Sequence, residues 1–109
     1  MPTSYKVLGQ LVPTANTLST LYTVPANTQT VTSSVVVCNQ GTSTNIRLAV
    51  RPAGASITAS HYIVYDSIVN ANDSLILTIG VTANTTDVIS AYAGTGNVSF
   101  NLYGSEITP

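Results

Sequence analysis

The chain is a succession of short runs rich in β-branched residues, and no run is long or regular enough to be a helix. Apolar residues do not recur at helical spacing over any long window, while valine, isoleucine and threonine dominate. About eight runs can be drawn: Tyr5–Val12, Thr17–Val24, Thr28–Asn39, Asn45–Arg51, His61–Val69, Ser74–Val81, Asp87–Ala93 and Asn97–Tyr103. Turn signals separate them at the spacing of an all-β sandwich or barrel. Val12-Pro13 and Val24-Pro25 end ladders, because proline cannot donate a hydrogen bond. Asn39-Gln40-Gly41-Thr42 and Gly94-Thr95-Gly96-Asn97 supply residues that tolerate positive φ. The second of these turns predicts a hairpin between the last two runs.

Alternation shows which side chains face inward. Val98, Phe100 and Leu102 share one face of the last run, with Asn97, Ser99 and Asn101 on the other. Ile46, Leu48 and Val50 line up likewise, as do Leu75, Leu77, Ile79 and Val81. With Val31, Val35, Val37 and Val88 they form the expected core. Strands with one polar face suit antiparallel sheets that are wet on one side. The expected fold is an all-β antiparallel sandwich of about eight strands, jelly-roll or immunoglobulin-like, in a single domain over residues 1–109. With no tryptophan and one cysteine, the signature of true immunoglobulin domains is missing.

Charge is the unusual feature of composition. Only 6% of residues are Asp, Glu, Lys or Arg, against about 25% in an ordinary domain. Threonine, serine and asparagine take their place, at roughly a third of the chain. Either a hydroxyl-rich surface keeps the protein apart from its neighbours, or copies of itself and partners cover much of that surface. A net charge of -1 favours the second reading, because near-zero charge promotes association. Lys6, Arg47 and Arg51 are the only cations, too few for binding nucleic acid through its phosphates. No stretch has the length to span a membrane, and the first residues do not lead into an apolar signal segment.

The inventory for catalysis is thin: one histidine, one cysteine and four carboxylates. His61 and Asp66 differ in parity within one run, which points them to opposite faces. No nucleophile-elbow motif is present, and metal sites of the zinc type need more histidine and cysteine than this. The oxygens of Asn70-Ala71-Asn72-Asp73 read better as a turn than as a calcium loop, which would want a glycine and a closing glutamate. Cys38, inside an apolar run, is expected to be a small buried hydrophobe. No enzyme activity, cofactor or metal is therefore expected. The candidate site is one of contact. Arg47 and Arg51 fall on the outward side of one strand and are candidates for inter-subunit ion pairs. His61, Tyr62 and Tyr65 complete the candidate interface, tyrosine being a common anchor.

Several segments, taken in order, suggest a family. They are Tyr5–Gln10, Leu21–Ala26, Val35–Asn39, Arg47–Pro52, His61–Ile63 with Tyr65-Asp66, Ala71–Asp73, Thr86–Val88 and Val98–Glu106. Together they resemble small virion structural proteins of tailed bacteriophages, including cyanophages. The resemblance implies a capsid decoration, or cement, protein that stabilises the shell as a homotrimer. Its partners would be copies of itself and the major capsid protein, on the capsid surface of the virion. It implies no enzyme and no cofactor. A tail, fibre or baseplate component with a receptor- or glycan-binding role is the alternative.

Overall fold

A computed structural model describes residues 2–109. The strands are β1 (Thr3–Leu11), β2 (Ser19–Thr23), β3 (Gln29–Asn39), β4 (Thr44–Arg51), β5 (Tyr62–Val69), β6 (Ser74–Leu77), β7 (Thr82–Ala83), β8 (Val88–Ala93) and β9 (Val98–Ile107). Two single 3₁₀ turns, Pro52–Gly54 and Ala59–His61, lie between β4 and β5.

The strands form two antiparallel sheets. The first runs β1-β9-β3-β6, with β7 also paired to β3; the second runs β2-β8-β4-β5. The pairs are nested. β4 pairs with β5, β3 with β6, β2 with β8 and β1 with β9, each pair enclosing the one before. This is one long hairpin rolled up, so that β9 also meets β3 and β8 also meets β4. The order is that of a jelly roll and excludes the immunoglobulin arrangement, which divides its strands differently between the sheets.

The expected hairpin between the last two runs does not form. β8 belongs to the second sheet and β9 to the first, so Gly94–Asn97 carries the chain across the sandwich. Turn residues fix where a chain reverses, not which strand it pairs with. Gly94 fits because a Cβ there would lie 2.5 Å from Asn45 Oδ1. The Asn39–Thr42 turn also works differently from expectation. It uses no positive φ and is held by a side chain. The Asn39 amide, 1% exposed, donates to the carbonyls of Thr42 (2.8 Å) and Val69 (3.0 Å) and accepts from Gly41 N–H (2.9 Å). The one amide thus ties the β3–β4 turn to the end of β5.

Between the sheets lie Val35, Val37, Val98, Phe100 and Leu102 from the first, facing Leu21, Tyr22, Ile46, Leu48, Ile89 and Ala91 from the second. Val50, Leu75 and Leu77 pack at its margin. Ile79 and Val81 are half-buried. Val31 departs from expectation: it is 39% exposed and faces outward. An extra residue, Ser33, is inserted where β3 passes from Thr32 to Ser34 along β9, and this reverses the alternation. Thr30 and Thr32 therefore point inward in place of Val31. A matching bulge at Leu8 in β1 sits on the other side of Tyr103. Cys38 is half-exposed on the outward side, because Val35 and Val37 take the inward positions. Val88 is buried, but from outside the sandwich, beneath the Pro52–Gly54 turn.

Phe100→Ala is expected to destabilise the fold by about 3–5 kcal/mol, through lost burial and the cavity left behind. Asn39→Ala should cost about 2 kcal/mol, since it orphans buried backbone groups. Urea midpoints read against an unchanged slope would check both.

Candidate interaction site

The outward face of the first sheet carries no acid or base among the described residues. Its rows across the strands are Tyr5–Ser105–Val31, Val7–Tyr103–Ser34, Gln10–Asn101–Val36–Ile76 and Ser99–Cys38–Ser74. Tyr5 is 85% exposed, Ile76 67% and Val7 48%. Hydroxyls and amides fill the gaps, with Gln10 Nε2 donating to Asn101 Oδ1 at 2.8 Å. A shallow groove crosses this face between Tyr5, Val7, Val31 and Tyr103, with Lys6 also in its lining. One edge of the sheet is β1, whose first five residues are all exposed. Edge strands usually carry charge or proline to prevent pairing, and here Lys6 is the only charge.

Lys6 stands in the inward row of β1, beside Gly104, and its side chain reaches from the groove to the end of the core. Its Nζ lies 2.6 Å from Glu106 Oε1, and Tyr22 Oη donates to Glu106 Oε2 at 2.5 Å. Tyr22 Oη also meets Thr30 Oγ1 at 2.8 Å. Tyr22 comes from the second sheet and the other three from the first, so a polar bridge closes one end of the core. Burial, reinforced by the Glu106 carboxylate, pushes the Tyr22 hydroxyl up to about 12, and it stays a donor. Burial alone would raise Glu106. The bonds from Lys6 and Tyr22 outweigh it and hold the carboxyl below its ordinary value. None of these residues stood out in the sequence. The available signal was parity: Glu106 continues the inward row of Val98, Phe100 and Leu102.

The five candidate contact residues gather on the outward side of the second sheet. Arg47 and Arg51 do lie on that side, paired with Tyr92 and Val88. Arg47 binds Asp66 through two bonds, Nε to Oδ1 at 2.6 Å and a terminal nitrogen to Oδ2 at 3.2 Å. Its guanidinium is stacked between two rings, 4.2 Å from the centre of Tyr65 and 4.5 Å from that of Tyr92. Asn45 Nδ2 adds a 2.7 Å bond to Asp66. The bonds from Arg47 and then Asn45 hold the Asp66 carboxyl below its ordinary value.

Arg51 faces a loop of its own chain. It donates to Ser90 Oγ (3.2 Å) and to the carbonyls of Gly54 (3.3 Å) and Ala55 (3.1 Å). The loop of residues 52–61 covers the middle of the sheet, which is why outward-pointing Ala49 and Ser90 are 0% and 1% exposed. Asp87 holds the same end of the loop by accepting from Ala53 N–H at 2.9 Å. His61 caps the second turn: its Nδ1 accepts from Thr58 N–H at 3.1 Å. His61 and Asp66 are thus engaged with separate partners.

Tyr62 and Tyr65 should alternate in a regular strand. The register of β5 against β4 shifts between Ile46 and Ala49, and Asp66 takes a φ of 55°. Both rings then meet edge to face, with centroids 4.9 Å apart and planes at 77°. Beside them, Ile57, Thr58 and Ala59 complete an open groove of 480 Å³. Among the described residues no group of three His, Cys, Asp or Glu side chains could hold a metal ion.

This geometry can be set beside known proteins. No family model matches the chain, and no curated protein matches it. Solved structures do. A chain from the structure of infectious bursal disease virus, Gx strain, superposes with a TM-score of 0.57 at 11% identity, covering 96% of this chain and 32% of that one. This is a likeness of fold alone, and the present chain spans about a third of that protein. A chain from the acidic stable capsid of Helicobacter pylori bacteriophage KHP30 gives 0.49 at 14% identity, covering 99% of this chain and 94% of that one. A pentameric capsid protein from metagenomic phage sequences gives 0.43 at 12% identity, covering 96% and 63%.

Tyr22→Phe should lower stability by about 2 kcal/mol, the value of a lost hydrogen bond to a charged acceptor, measured by urea unfolding. Glu106 also sets an acid dependence. Its folded value is depressed, so its contribution is complete above the ordinary value of 4.5 and is lost as pH falls through the folded value. The urea midpoint should drop across that window, and the drop should be smaller in Glu106→Gln. An equal drop in both would assign the acid sensitivity elsewhere, with Asp66 the next group to test.

Proposed function

We propose that this chain is a virion structural protein that acts by contact, and specifically a capsid decoration protein that stabilises the shell as a homotrimer. The observation that carries the reading is the outward face of the first sheet, where Tyr5, Val7, Val31, Val36, Tyr103 and Ile76 stand among hydroxyls and amides, and where the single cation at the groove, Lys6, is already paired with Glu106. A surface of this kind suits burial against neighbours better than permanent exposure to water. Its occupants are other shell subunits: copies of this chain and the major capsid protein beneath them. The jelly-roll order supports the reading, since that architecture recurs in viral shells, although fold alone does not assign function. The likeness of fold to the bursal disease virus chain and the resemblance of ordered segments to tailed-phage virion proteins point the same way.

Cryo-electron microscopy of the particle is the direct test. Jelly-roll density grouped in threes on the capsid exterior is the expected result. Density only along the tail would overturn the capsid assignment. Tyr5→Asp combined with Val31→Asp places two carboxylates on the proposed contact face. The double variant should fold, by circular dichroism, yet fail to bind capsids depleted of the wild-type protein. Salt supplies a third check. The one charge lining the contact groove, Lys6, is already paired with Glu106, so capsid binding should change little between about 0.05 and about 0.5 M sodium chloride.

A further inference from the structure

The groove on the second sheet has a chemistry of its own, separate from the contact face of the first. We infer that it is a binding site for a neutral sugar, with a pyranose ring lying against Tyr65. This goes beyond the virion reading and does not rest on it.

Three observations lead there. The first is size: at 480 Å³ the groove falls within the range of small-ligand sites, about 300–1,000 Å³, as does the groove on the first sheet, so size admits a ligand and the lining must select it. The second is the state of the Tyr65 ring. It is 60% exposed, yet it is held on one face by the Arg47 guanidinium and abutted by Tyr62. Arg47 is in turn backed by Tyr92 and fixed by Asp66. Tyr92 Oη donates to Asn16 Oδ1 at 3.0 Å, which anchors the bottom of the stack. An exposed ring fixed in advance gives up little rotational freedom when a ligand lands on it. Asp66, next to Tyr65, is in the left-handed region, which aspartate tolerates, and this turns its carboxylate to Arg47.

The third observation is charge. Ile57, Thr58, Ala59, Tyr62 and Tyr65 line the groove, with no acid or base among them. The nearby ions close on each other: Arg47 is matched by Asp66. Arg51, the other cation of this face, is turned to Ser90 and the carbonyls of Gly54 and Ala55 and does not line the groove, so the lining offers an ionic ligand no opposite charge. What the groove does offer is aromatic surface, the apolar flank of Ile57 and hydroxyls from Thr58 and the two tyrosines. Thr58 Oγ1 is already oriented by Ser60 Oγ at 2.9 Å. A pyranose has the complementary pattern: an apolar C–H face to lay on a ring and a rim of hydroxyls that both donate and accept. The five sequence candidates also find a common task here. Tyr62 and Tyr65 contact the ligand; Arg47, Arg51 and His61 position the ring and the loop.

The test is a titration of the purified protein with neutral hexasaccharides of α-1,4-glucose, β-1,4-glucose, N-acetylglucosamine and galactose, read by saturation-transfer NMR and calorimetry. At least one should bind with a Kd of about 1 mM or tighter. Tyr65→Ala should weaken it by about tenfold, while Tyr65→Phe, which keeps the ring, should retain most of it. Ile57→Ala, at an exposed loop position, should give a smaller loss and guards against misfolding of the tyrosine variant. Tyr5→Ala on the other sheet should leave binding unchanged. No saturable binding by any of the four sugars overturns the proposal, as does binding indifferent to both Tyr65→Ala and Ile57→Ala. Loss of self-association in Tyr65→Ala without any sugar binding would overturn it in favour of a protein contact.

Discussion

Each charged side chain among the described residues finds its partner within the same chain, and much of the structure follows from where those partners lie. Three basic and four acidic side chains are all that the sequence contains. Lys6 and Glu106 meet at the end of the core and join the sheets through Tyr22. Arg47 and Asp66 meet outside the second sheet and fix a bulge. Arg51 and Asp87 hold the 52–61 loop down by its backbone, and Asp73 accepts from Ser74 N–H at 2.8 Å where β6 begins. The surface left over is hydroxyl, amide and apolar. It carries little field to steer a partner or to repel one, so shape and apolar contact must do the selecting.

The two faces of the sandwich have diverged in consequence. The first sheet is open across its outer face, and its exposed tyrosines and aliphatics form a broad, shallow surface. The second is roofed by a loop, and its aromatic residues are drawn into a small ordered cluster. Both faces depend on bulges, which decide at Ser33 and along β5 which side chains come outward.

Bulges also mark the limit of what could be read from the sequence. The eight long strands were legible as runs, and alternation was reliable where pairing is regular: Val98, Phe100 and Leu102 are inside, as are Ile46 and Leu48. An inserted residue reverses everything beyond it, and nothing in Thr30–Ser34 announces one. Val31 was misread for this reason. Tyr62 and Tyr65 were legible as candidates, but their meeting was not, because it needs the shifted register of β5. Glu106 was hidden by a different cause. The last run is drawn only to Tyr103, whereas pairing on both sides carries β9 through Gly104 to Ile107. Pairing partners were likewise out of reach: the turn at Gly94–Asn97 signals a reversal, and only the closed sandwich shows that it crosses between sheets.

The nested pairing bears on how such a chain can be made. β9 is the inner strand of the first sheet, flanked by β1 on one side and β3 on the other. It is also the last strand in the sequence. A ribosome delivers β1 and β3 long before the strand that belongs between them, so that sheet cannot assemble while residues 98–107 are still being added. Until then Tyr5, Val7 and the valines of β3 belong to unpaired segments with free backbone donors and acceptors, the condition in which β-rich chains aggregate. Closure of that sheet therefore waits for residues 98–107, and a chain cut short before residue 98 would lack an inner strand of it.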